Sequence, residues 1–183
     1  MSKIVKPTQS RISIKALKVA EFLSEETLAY SALVFFDGKK IASADNGGRG
    51  GATHIRPEPG QQDLFRQAEA FALSLPATLT DYADPKDPSG KLSIASSLEW
   101  VVDGLAHDQQ DRKKAGAQMA RLMKKAALMI ENGKLFTLKP RLPAMLQTEQ
   151  FLKSAQERYP AAQILNALPK EQALELFIGS TAN

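Results

Sequence analysis

The sequence predicts an α+β fold, in which an N-terminal antiparallel β-hairpin or sheet is packed by the helices that follow. Three observations predict it: two extended segments joined by an Asp-Gly turn, helical periodicity after residue 61, and a C-terminal strand–helix–strand–helix pattern. Strands gathered before helices are typical of α+β folds. Because 183 residues suit one large domain, we expect residues 1–183 to form a single domain, with residues 1–10 as a flexible basic arm.

The predicted sheet is built around a turn at Asp37 and Gly38. Residues 12–22 alternate loosely between apolar and polar, and residues 28–36 (LAYSALVFF) are nearly apolar on both faces, which is typical of a central strand. Asp-Gly then separates this strand from residues 39–44 and supplies the positive φ angles of a type I′ turn. The sequence therefore predicts a β-hairpin here.

A helix and a long polar loop come next. Residues 61–75 follow a Pro-Gly pair, stop at Pro76 and place six apolar residues on one helical stripe: Leu64, Phe65, Ala68, Phe71, Ala72 and Leu75. Residues 76–93 are rich in Pro, Asp and Gly, so we expect a long polar loop. Its aspartates at 81, 84 and 87 lack the spacing and the bidentate glutamate of calcium loops, so no calcium site is expected.

The rest of the chain is mainly helical by pattern. Ser96-Ser97-Leu98-Glu99 has the Ser-x-x-Glu form of a capping box, so a helix is expected to start there and to end near Asp108. A second, longer helix is expected from residue 111 to 132, with Gly133 as its C-terminal cap. The remaining elements are expected as an edge strand at 134–139, a helix at 142–159, a short buried strand at 163–166 and a last helix opened by Pro169.

The composition excludes several kinds of site. The chain has no cysteine, which excludes disulfides, thiol nucleophiles and thiolate metal sites, and its two histidines, His54 and His107, exclude a three-histidine metal site. Asp103, His107 and Asp111 could approach one another on a helix, but acids near helix starts explain them better. We therefore expect no metal and no cofactor. The sequence lacks both a signal-peptide pattern and an apolar run of membrane-span length, so a cytoplasmic protein without a membrane partner is expected.

The net charge of +4 hides a segregation of charge along the chain. Residues 1–20 carry five cations and no acid, residues 112–130 carry six cations and no acid, and the rest of the chain carries a net charge of −7. The cations of the first segment are Lys3, Lys6, Arg11, Lys15 and Lys18. Clustered cations favour a phosphate-rich or acidic partner, although basic tails and helix faces also occur as ordinary solvated surface.

A glycine-rich loop follows directly on the predicted hairpin. Four of the eleven glycines lie within five positions, at Gly47, Gly48, Gly50 and Gly51. Glycine lets the backbone approach a ligand closely and point successive N–H groups at one anion, and Arg49 adds a planar cationic fork. Thr53 and His54 would add a hydroxyl and an imidazole at the rim. The loop matches no established phosphate-binding motif, so a flexible surface loop and a catalytic loop remain alternatives.

The predicted second helix carries the other candidate site. At 100° per residue its cations fall within one sector, and these are Lys113, Lys114, Arg121, Lys124 and Lys125. Apolar residues fall on the opposite side, among them Met119, Leu122 and Met129. Such a helix could lie along a phosphate backbone or an acidic protein surface. The alternative is that cations near the helix C-terminus stabilise the helix itself.

Two further motifs are the hairpin with its loop (SEETLAYSALVFFDGKKIASADNGGRGGATH) and the tail (YPAAQILNALPKEQALELF). They cover about a third of the chain, and the turn at 37–40 and the loop at 46–51 are their most distinctive parts. In these motifs the chain resembles a scattered family of small hypothetical proteins from bacteria, phages and plasmids. That family has no established activity, so the resemblance carries over no catalytic residue. It implies accessory or mobile-element biology, in which small proteins act by binding and blocking.

These observations lead to three competing functional hypotheses. The first is a non-enzymatic protein that binds nucleic acid, or else an acidic protein surface, through the Arg49 loop and the basic helix, for example as a phage- or plasmid-encoded inhibitor of a host system. The second is a small enzyme acting on a nucleotide or phosphorylated substrate, with His54 as general acid or base. The third is a structural or oligomer-forming protein that pairs through residues 28–36 and the edge strand at 134–139.

Overall fold

A computed structural model of the protein describes residues 9–86, 90–140, 143–146 and 148–181. The chain divides into two compact units, Met1–Gln109 and Gln110–Asn183, called unit 1 and unit 2 below. The α+β fold class is confirmed, and the expectation of a single domain stays a prediction. Apart from Gln9 and Ser10, the predicted basic arm lies outside the described residues.

Unit 1 contains a four-stranded antiparallel sheet in the order β1 (Ile12–Val19), β2 (Tyr30–Phe36), β3 (Lys39–Asn46) and β4 (His54–Pro57). The prediction of a central strand at 28–36 is confirmed, since β2 pairs with both β1 and β3. The Asp-Gly hairpin is confirmed as well, with φ of 47° at Asp37 and 78° at Gly38.

The two faces of this sheet differ, although the sequence predicts burial of β2 on both. Burial alternates along β2, and its inward side chains, Tyr30, Ala32, Val34 and Phe36, are at most 4% exposed. The predicted helix is confirmed as α1 (Gln62–Ser74), whose apolar stripe joins the same core. The rings of Phe36 and Phe71 lie 5.9 Å apart in that core. The other face of the sheet is open to solvent or half-buried, because Ser31, Leu33 and Phe35 point away from the core.

The prediction of a continuous polar loop over residues 76–93 is wrong, because strands occupy half of these residues. Residues there form a two-stranded antiparallel sheet of β5 (Thr78–Ala83) and β6 (Lys91–Ile94). Thr78 and Thr80 are buried, the first accepting a hydrogen bond of 3.2 Å from the Trp100 indole and the second donating one of 3.0 Å to the Leu92 carbonyl. β-branched threonines therefore occupy the inward positions, and the polar composition concealed the alternation. Asp87 and the side chain of Asp81 lie outside the described part.

One continuous helix, α2 (Leu98–Met123), replaces the two helices expected around Asp108. Its N-cap is Ser97 rather than Ser96, because the Trp100 amide donates to the Ser97 hydroxyl at 3.2 Å while Ser96 donates to the Pro76 carbonyl at 2.7 Å. The boundary between unit 1 and unit 2 falls inside this helix.

The prediction of a helix up to residue 132 is wrong beyond Met123, where α2 ends. The chain instead forms a second hairpin from β7 (Ala127–Glu131) and β8 (Lys134–Leu138). Asn132 and Gly133 have φ of 52° and 74°, so Gly133 belongs to a type I′ turn and does not cap a helix. β7 is fully apolar up to Glu131, and a short apolar run cannot be assigned to helix or strand by periodicity alone.

The C-terminal strand–helix–strand–helix segment is confirmed as β8, α3 (Glu149–Arg158), β9 (Gln163–Ile164) and α4 (Lys170–Thr181). The strand order is β8-β7-β9, so β8 is an edge strand as predicted. Both β8 and β9 run antiparallel to β7 and are therefore parallel to each other. α3 is shorter than the helix expected at 142–159, and Leu142 lies outside the described residues.

The core of unit 2 lies on both sides of β7, which is almost completely buried. Leu128 packs with Met119 of α2 and Phe177 of α4, while Met129 lies in a second cluster with Ala155 of α3. The last helix, which the sequence predicts, buries the side chains of Ala173, Leu174 and Phe177. Within the described ranges, no helix combines the length and the apolar composition that a membrane span requires.

Candidate anion-binding site

The glycine-rich loop between β3 and β4 is organised by the buried side chain of Asn46. Its Oδ1 accepts hydrogen bonds from the Thr27 hydroxyl at 3.0 Å and from the Gly48 amide at 2.9 Å. Its Nδ2 donates to the Gly51 carbonyl at 3.1 Å and to the Thr53 hydroxyl at 3.0 Å. The two N–H donors and the two acceptor lone pairs of this amide are thereby all used. Because these hydrogen bonds join Asn46 to four residues, they give the glycine-rich loop a defined shape.

A second loop, residues 20–29, is locked onto the glycine loop at Gly48. The Gly48 carbonyl accepts from the amides of Glu25, Glu26 and Thr27 at 3.0 to 3.3 Å. Gly48 has φ of +82°, and a Cβ at this position would stand 2.2 Å from the Leu23 carbonyl oxygen. Glycine is thus required at position 48 by the close approach of two backbones. We call this arrangement the loop interlock.

The loop interlock changes the role expected for the loop amides. The Gly48 amide donates to Asn46, and the Gly50 amide donates to the Thr27 hydroxyl at 3.3 Å. These two N–H groups therefore stabilise the loop itself. The carboxylate of Glu26 lies over Gly50, where a Cβ would stand 2.2 Å from Oε2. An acid beside Arg49 weakens the positive potential that the sequence predicts for this loop.

Thr53, expected at the rim, is 4% exposed and belongs to a hydrogen-bond cluster beneath the loop. Asp103 of α2 accepts from the Thr53 hydroxyl at 2.5 Å and from the Tyr30 hydroxyl at 2.7 Å. Burial, the largest effect, holds the pKa of Tyr30 well above its ordinary value. The Thr53 hydrogen bond opposes this shift in pKa and Asp103 reinforces it. This cluster ties the loop and β2 to α2.

Arg49 and His54 are the members of the predicted loop site that carry exposed polar side chains. In the described part of the chain neither side chain has a hydrogen-bond or ion-pair partner. His54 is the first residue of β4 and pairs in register with Asp45. Gly47 and Gly51 are exposed, with open space where a Cβ would stand. The structure therefore divides the predicted residues between a buried framework and an exposed set.

The solvent face of the four-stranded sheet carries a feature that the sequence analysis missed. An open groove of about 400 Å³ crosses this face and is called the sheet groove below. It is lined by Ala16, Lys18, Ser31, Ala32, Leu33, Ser43, Ala44, Asp45 and Arg56. The signal was present in the alternation along β2 and β3, since Ser31, Leu33 and Ser43 occupy the positions between buried residues.

Small residues and a strand irregularity shape the sheet groove. Ser31 on β2 and Ser43 on β3 both line it with small side chains, which leave space that larger ones would fill. β1 bends beside them, because Ala16 has φ of +53° and the pairing with β2 shifts between Lys15 and Lys18. In register, Lys18 pairs with Ser31, which in turn pairs with Asp45 on the next strand.

The charges at the sheet groove sum to a cationic site. Arg56 on β4 forms an ion pair with Asp45, which neutralises that carboxylate. Lys18 on β1 has no acidic partner among the described residues. Beside the groove, the Lys15 ammonium lies 4.4 Å from the centroid of the Phe35 ring. Lys18 therefore gives the groove lining a net positive charge.

The other cation of the described N-terminal segment is engaged elsewhere. Arg11 donates to both carboxylate oxygens of Asp37 at 2.9 and 2.6 Å and stacks on Phe36 at 4.4 Å. The remaining cations of that segment, Lys3 and Lys6, lie outside the described residues. Of the predicted N-terminal cations, the sheet face thus presents Lys15 and Lys18.

In unit 2, the basic helix is present but shorter than predicted. Lys113, Lys114 and Arg121 lie on α2 and are exposed, whereas Lys124 and Lys125 lie in the turn that follows it and are also exposed. Met119 on the same helix is buried. The amphipathic pattern is confirmed for α2, but Met129 and Ile130 belong to β7.

One cation of this segment is used within unit 2. Arg112 forms ion pairs with Glu175 at 2.6 Å and with Glu171 at 3.4 Å, both on α4. These two carboxylates raise the pKa of the Arg112 guanidinium. Among the described residues, Lys113, Arg121, Lys124 and Lys125 have no acidic partner.

The described residues contain no group of three or more acidic or histidine side chains arranged to hold a metal ion. The Nδ1 atom of His107 lies 2.9 Å from the Asp103 carbonyl oxygen, one turn earlier on α2. Comparisons with protein-family models, with curated proteins and with solved structures found no match to this chain. The resemblance noted from the sequence motifs therefore stays an expectation.

Proposed function

We propose that the protein is a non-enzymatic binding protein whose partner is nucleic acid. Its contact regions are the solvent face of the four-stranded sheet in unit 1, with Arg49 at the adjoining loop, and the basic side of α2 with the turn after it in unit 2. The observation that carries the proposal is the sheet groove with Lys18 at its rim, which has no acidic partner in the part of the chain that the structure describes. Phosphate groups repeat along the backbone of a nucleic acid, so one nucleic-acid molecule can contact cations in both of these regions.

The sheet face supports this proposal through its shape and its donors. The groove is open, so it admits part of a long molecule as readily as a small one. Lys18 and Lys15 offer ammonium groups on β1, and Arg56 offers further N–H donors from β4 beyond those that hold Asp45. Ser31 and Ser43 add hydroxyls that can donate or accept.

The unit 2 cations support it through their exposure. Lys113, Arg121 and Lys124 are exposed on a helix and its following turn, with no acidic partner among the described residues. Such cations bind phosphates without reading sequence, and each neutralised phosphate adds salt dependence. Arg49 is a weaker contributor because Glu26 lies beside its loop.

The proposed role is occupancy of nucleic acid rather than turnover. A phage- or plasmid-encoded inhibitor of a host defence or nucleic-acid-handling system is the concrete form of this proposal. Its support is the resemblance of the hairpin, loop and tail motifs, which implies small proteins that bind and block.

The test is binding to short single- and double-stranded DNA and RNA, followed by fluorescence anisotropy at several salt concentrations. We expect wild-type affinity to fall steeply as salt rises. Lys18→Gln, and separately the triple variant Lys113→Gln, Arg121→Gln and Lys124→Gln, should each weaken binding. Each should also reduce the salt slope by about 1 for every phosphate that is no longer neutralised. Arg49→Gln should have a smaller effect than Lys18→Gln.

Charge-matched controls separate a site from bulk charge. Arg66→Gln removes one exposed cation from α1 in unit 1. Lys134→Gln, Lys139→Gln and Lys153→Gln together remove three exposed cations from unit 2. These controls should bind like the wild type. Absence of binding to every nucleic acid at low salt would rule out the proposal. Equal losses of affinity in the controls would show that binding depends on the total charge of the protein and not on these sites.

A further inference from the structure

The sheet groove has the dimensions of a site for one small organic group. Its volume of about 400 Å³ lies within the range of about 300–1,000 Å³ that is usual for ligand sites. Leu33 and the side chains of Ala16, Ser31 and Ser43 provide a surface without long side chains. A phosphate group alone would leave most of this space empty, so the groove fits a larger occupant.

The polar groups at the groove are of the kind that base edges pair with. Ser31 and Ser43 carry hydroxyls, which donate or accept, and Asp45 carries a carboxylate, which accepts from amino groups. Arg56 holds Asp45 in an ion pair, so the carboxylate does not add net negative charge. Within this cationic site the Asp45 carboxylate can accept hydrogen bonds, so it suits an occupant that carries hydrogen-bond donors as well as a phosphate group.

The position of Lys18 determines which end of the occupant carries the anionic group. Lys18 lies at the β1 rim, in register with Ser31 and across β2 from Asp45. An anionic group on Lys18 and a planar polar group over Ser31 and Asp45 would follow one row across the sheet, with Ser43 in the neighbouring row opposite Leu33. A nucleotide combines these two groups. In a duplex the base edges and faces are covered by pairing and stacking, so a base is free to enter a groove only where the strand is unpaired.

We propose that the sheet groove takes one unpaired nucleobase of a single-stranded nucleic acid, with a neighbouring phosphodiester on Lys18. This inference rests on the proposed function and deepens it, because it names the form of nucleic acid and the place of the base. It predicts a preference for single strands over duplexes of equal length.

The test fills the groove without changing charge. Ser31 is exposed on a central strand, and Ser31→Phe would place an aromatic ring in the groove at a position where strands accept aromatic residues. Ser13→Phe is the matched control, because Ser13 lies on the same face of β1 and does not line the groove. Circular dichroism and thermal unfolding would establish that both variants fold like the wild type.

Binding of both variants is measured with a 12-nucleotide single strand and with a duplex of the same sequence. We expect Ser31→Phe to lose about 10-fold or more in single-strand affinity, which is about 1.4 kcal/mol of binding free energy, while Ser13→Phe stays within about 2-fold. Ser31→Ala, which keeps the groove open, should retain near wild-type affinity, which would place the effect in groove volume rather than in the absent hydroxyl.

Several outcomes would overturn the inference and leave the proposed function standing. These are equal affinity for single strand and duplex, equal effects of Ser31→Phe and Ser13→Phe, and binding of cytidine 5′-monophosphate as tight as that of the strand, which would make the occupant a free nucleotide. Absence of binding to any nucleic acid at low salt would remove the proposed function and this inference together.

Discussion

Gly48 shows why glycine content alone misdirects the interpretation of the loop. The concentration of glycines suggests a backbone cradle for an anion, but the Gly48 amide and carbonyl both serve the loop interlock. The glycine is needed because the Leu23 carbonyl occupies the space of a Cβ. Sequence cannot distinguish these uses, since close approach to a ligand and close approach to the protein's own backbone place the same demand on the residue.

The loop interlock leads to a prediction about stability at this residue. Gly48→Ala should destabilise the protein by about 2–4 kcal/mol, because alanine disfavours positive φ by about 1–2 kcal/mol and its Cβ would displace a backbone carbonyl. Gly47→Ala, at a position with open space and no positive φ, should cost less than about 1 kcal/mol. Urea unfolding of both variants measures the difference, and equal values would contradict the requirement for glycine at position 48.

At the scale of elements, the two hairpins contrast in how well the sequence predicts them. Asp37-Gly38 follows a long β-prone segment, so the turn is recognisable. Asn132-Gly133 carries an equally strong turn signal, yet it follows directly on a helical pattern, which makes its glycine resemble a helix cap. The apolar run of β7 fits a helix or a strand, and the pairing of β7 with β8 and β9 decides between them.

The candidate site was predictable in its charges but not in its shape. The cations of α2 and of β1 could be counted from the sequence, whereas the sheet groove depends on which side chains of neighbouring strands stand opposite each other, such as Ser31 with Lys18 and Asp45. The pairing of β1 with β2 shifts between Lys15 and Lys18, and short-range patterns in the sequence do not reveal such a shift. Buried Thr78 and Thr80 were likewise concealed, because polar composition suggested a loop.

The tie between β2 and α2 predicts a pH dependence of stability. Since the folded-state pKa of Tyr30 is raised above its ordinary value near 10, the protonated hydroxyl contributes stability that is fully present below about pH 10 and is lost as the pH rises further. Above pH 10 the wild type should lose stability more steeply than Tyr30→Phe, by about 1.4 kcal/mol per pH unit.

The measurement is the free energy of unfolding of wild type and Tyr30→Phe, from urea titrations at about pH 9, 10 and 11, which bracket the ordinary tyrosine pKa. All other side chains are common to both proteins, so the difference between the two slopes belongs to Tyr30. Parallel slopes would show that its hydroxyl is not held protonated in the folded protein.

At the scale of the whole molecule, cations without acidic partners among the described residues occur in both units. The sheet face offers Lys18 in unit 1, and Lys113, Arg121 and Lys124 lie in unit 2. Substitutions that share no partner usually act additively to within about 0.5 kcal/mol. Combining Lys18→Gln with the triple variant of unit 2 should therefore multiply their separate losses of affinity for one long single strand.

The same anisotropy titration, with a strand of about 30 nucleotides, long enough for several phosphates to meet both sets of cations, measures this product. A combined loss of affinity close to that of the more severe variant alone would mean that the two sets of cations do not contribute to one complex. The Arg66→Gln variant, added in the same way, should leave the affinity of each partner variant unchanged.

The loop interlock also separates what holds the glycine loop in place from what the loop displays. Asn46, Gly48 and Thr53 form the framework, whereas Gly47, Arg49 and Gly51 face solvent, and Gly51 contributes to the framework only through its backbone carbonyl, which accepts from Asn46. Changes at the second set can therefore accumulate while the backbone keeps its path. This part of the protein is a scaffold on which natural variation or a randomised library could generate new recognition surfaces, provided that the three framework residues are kept.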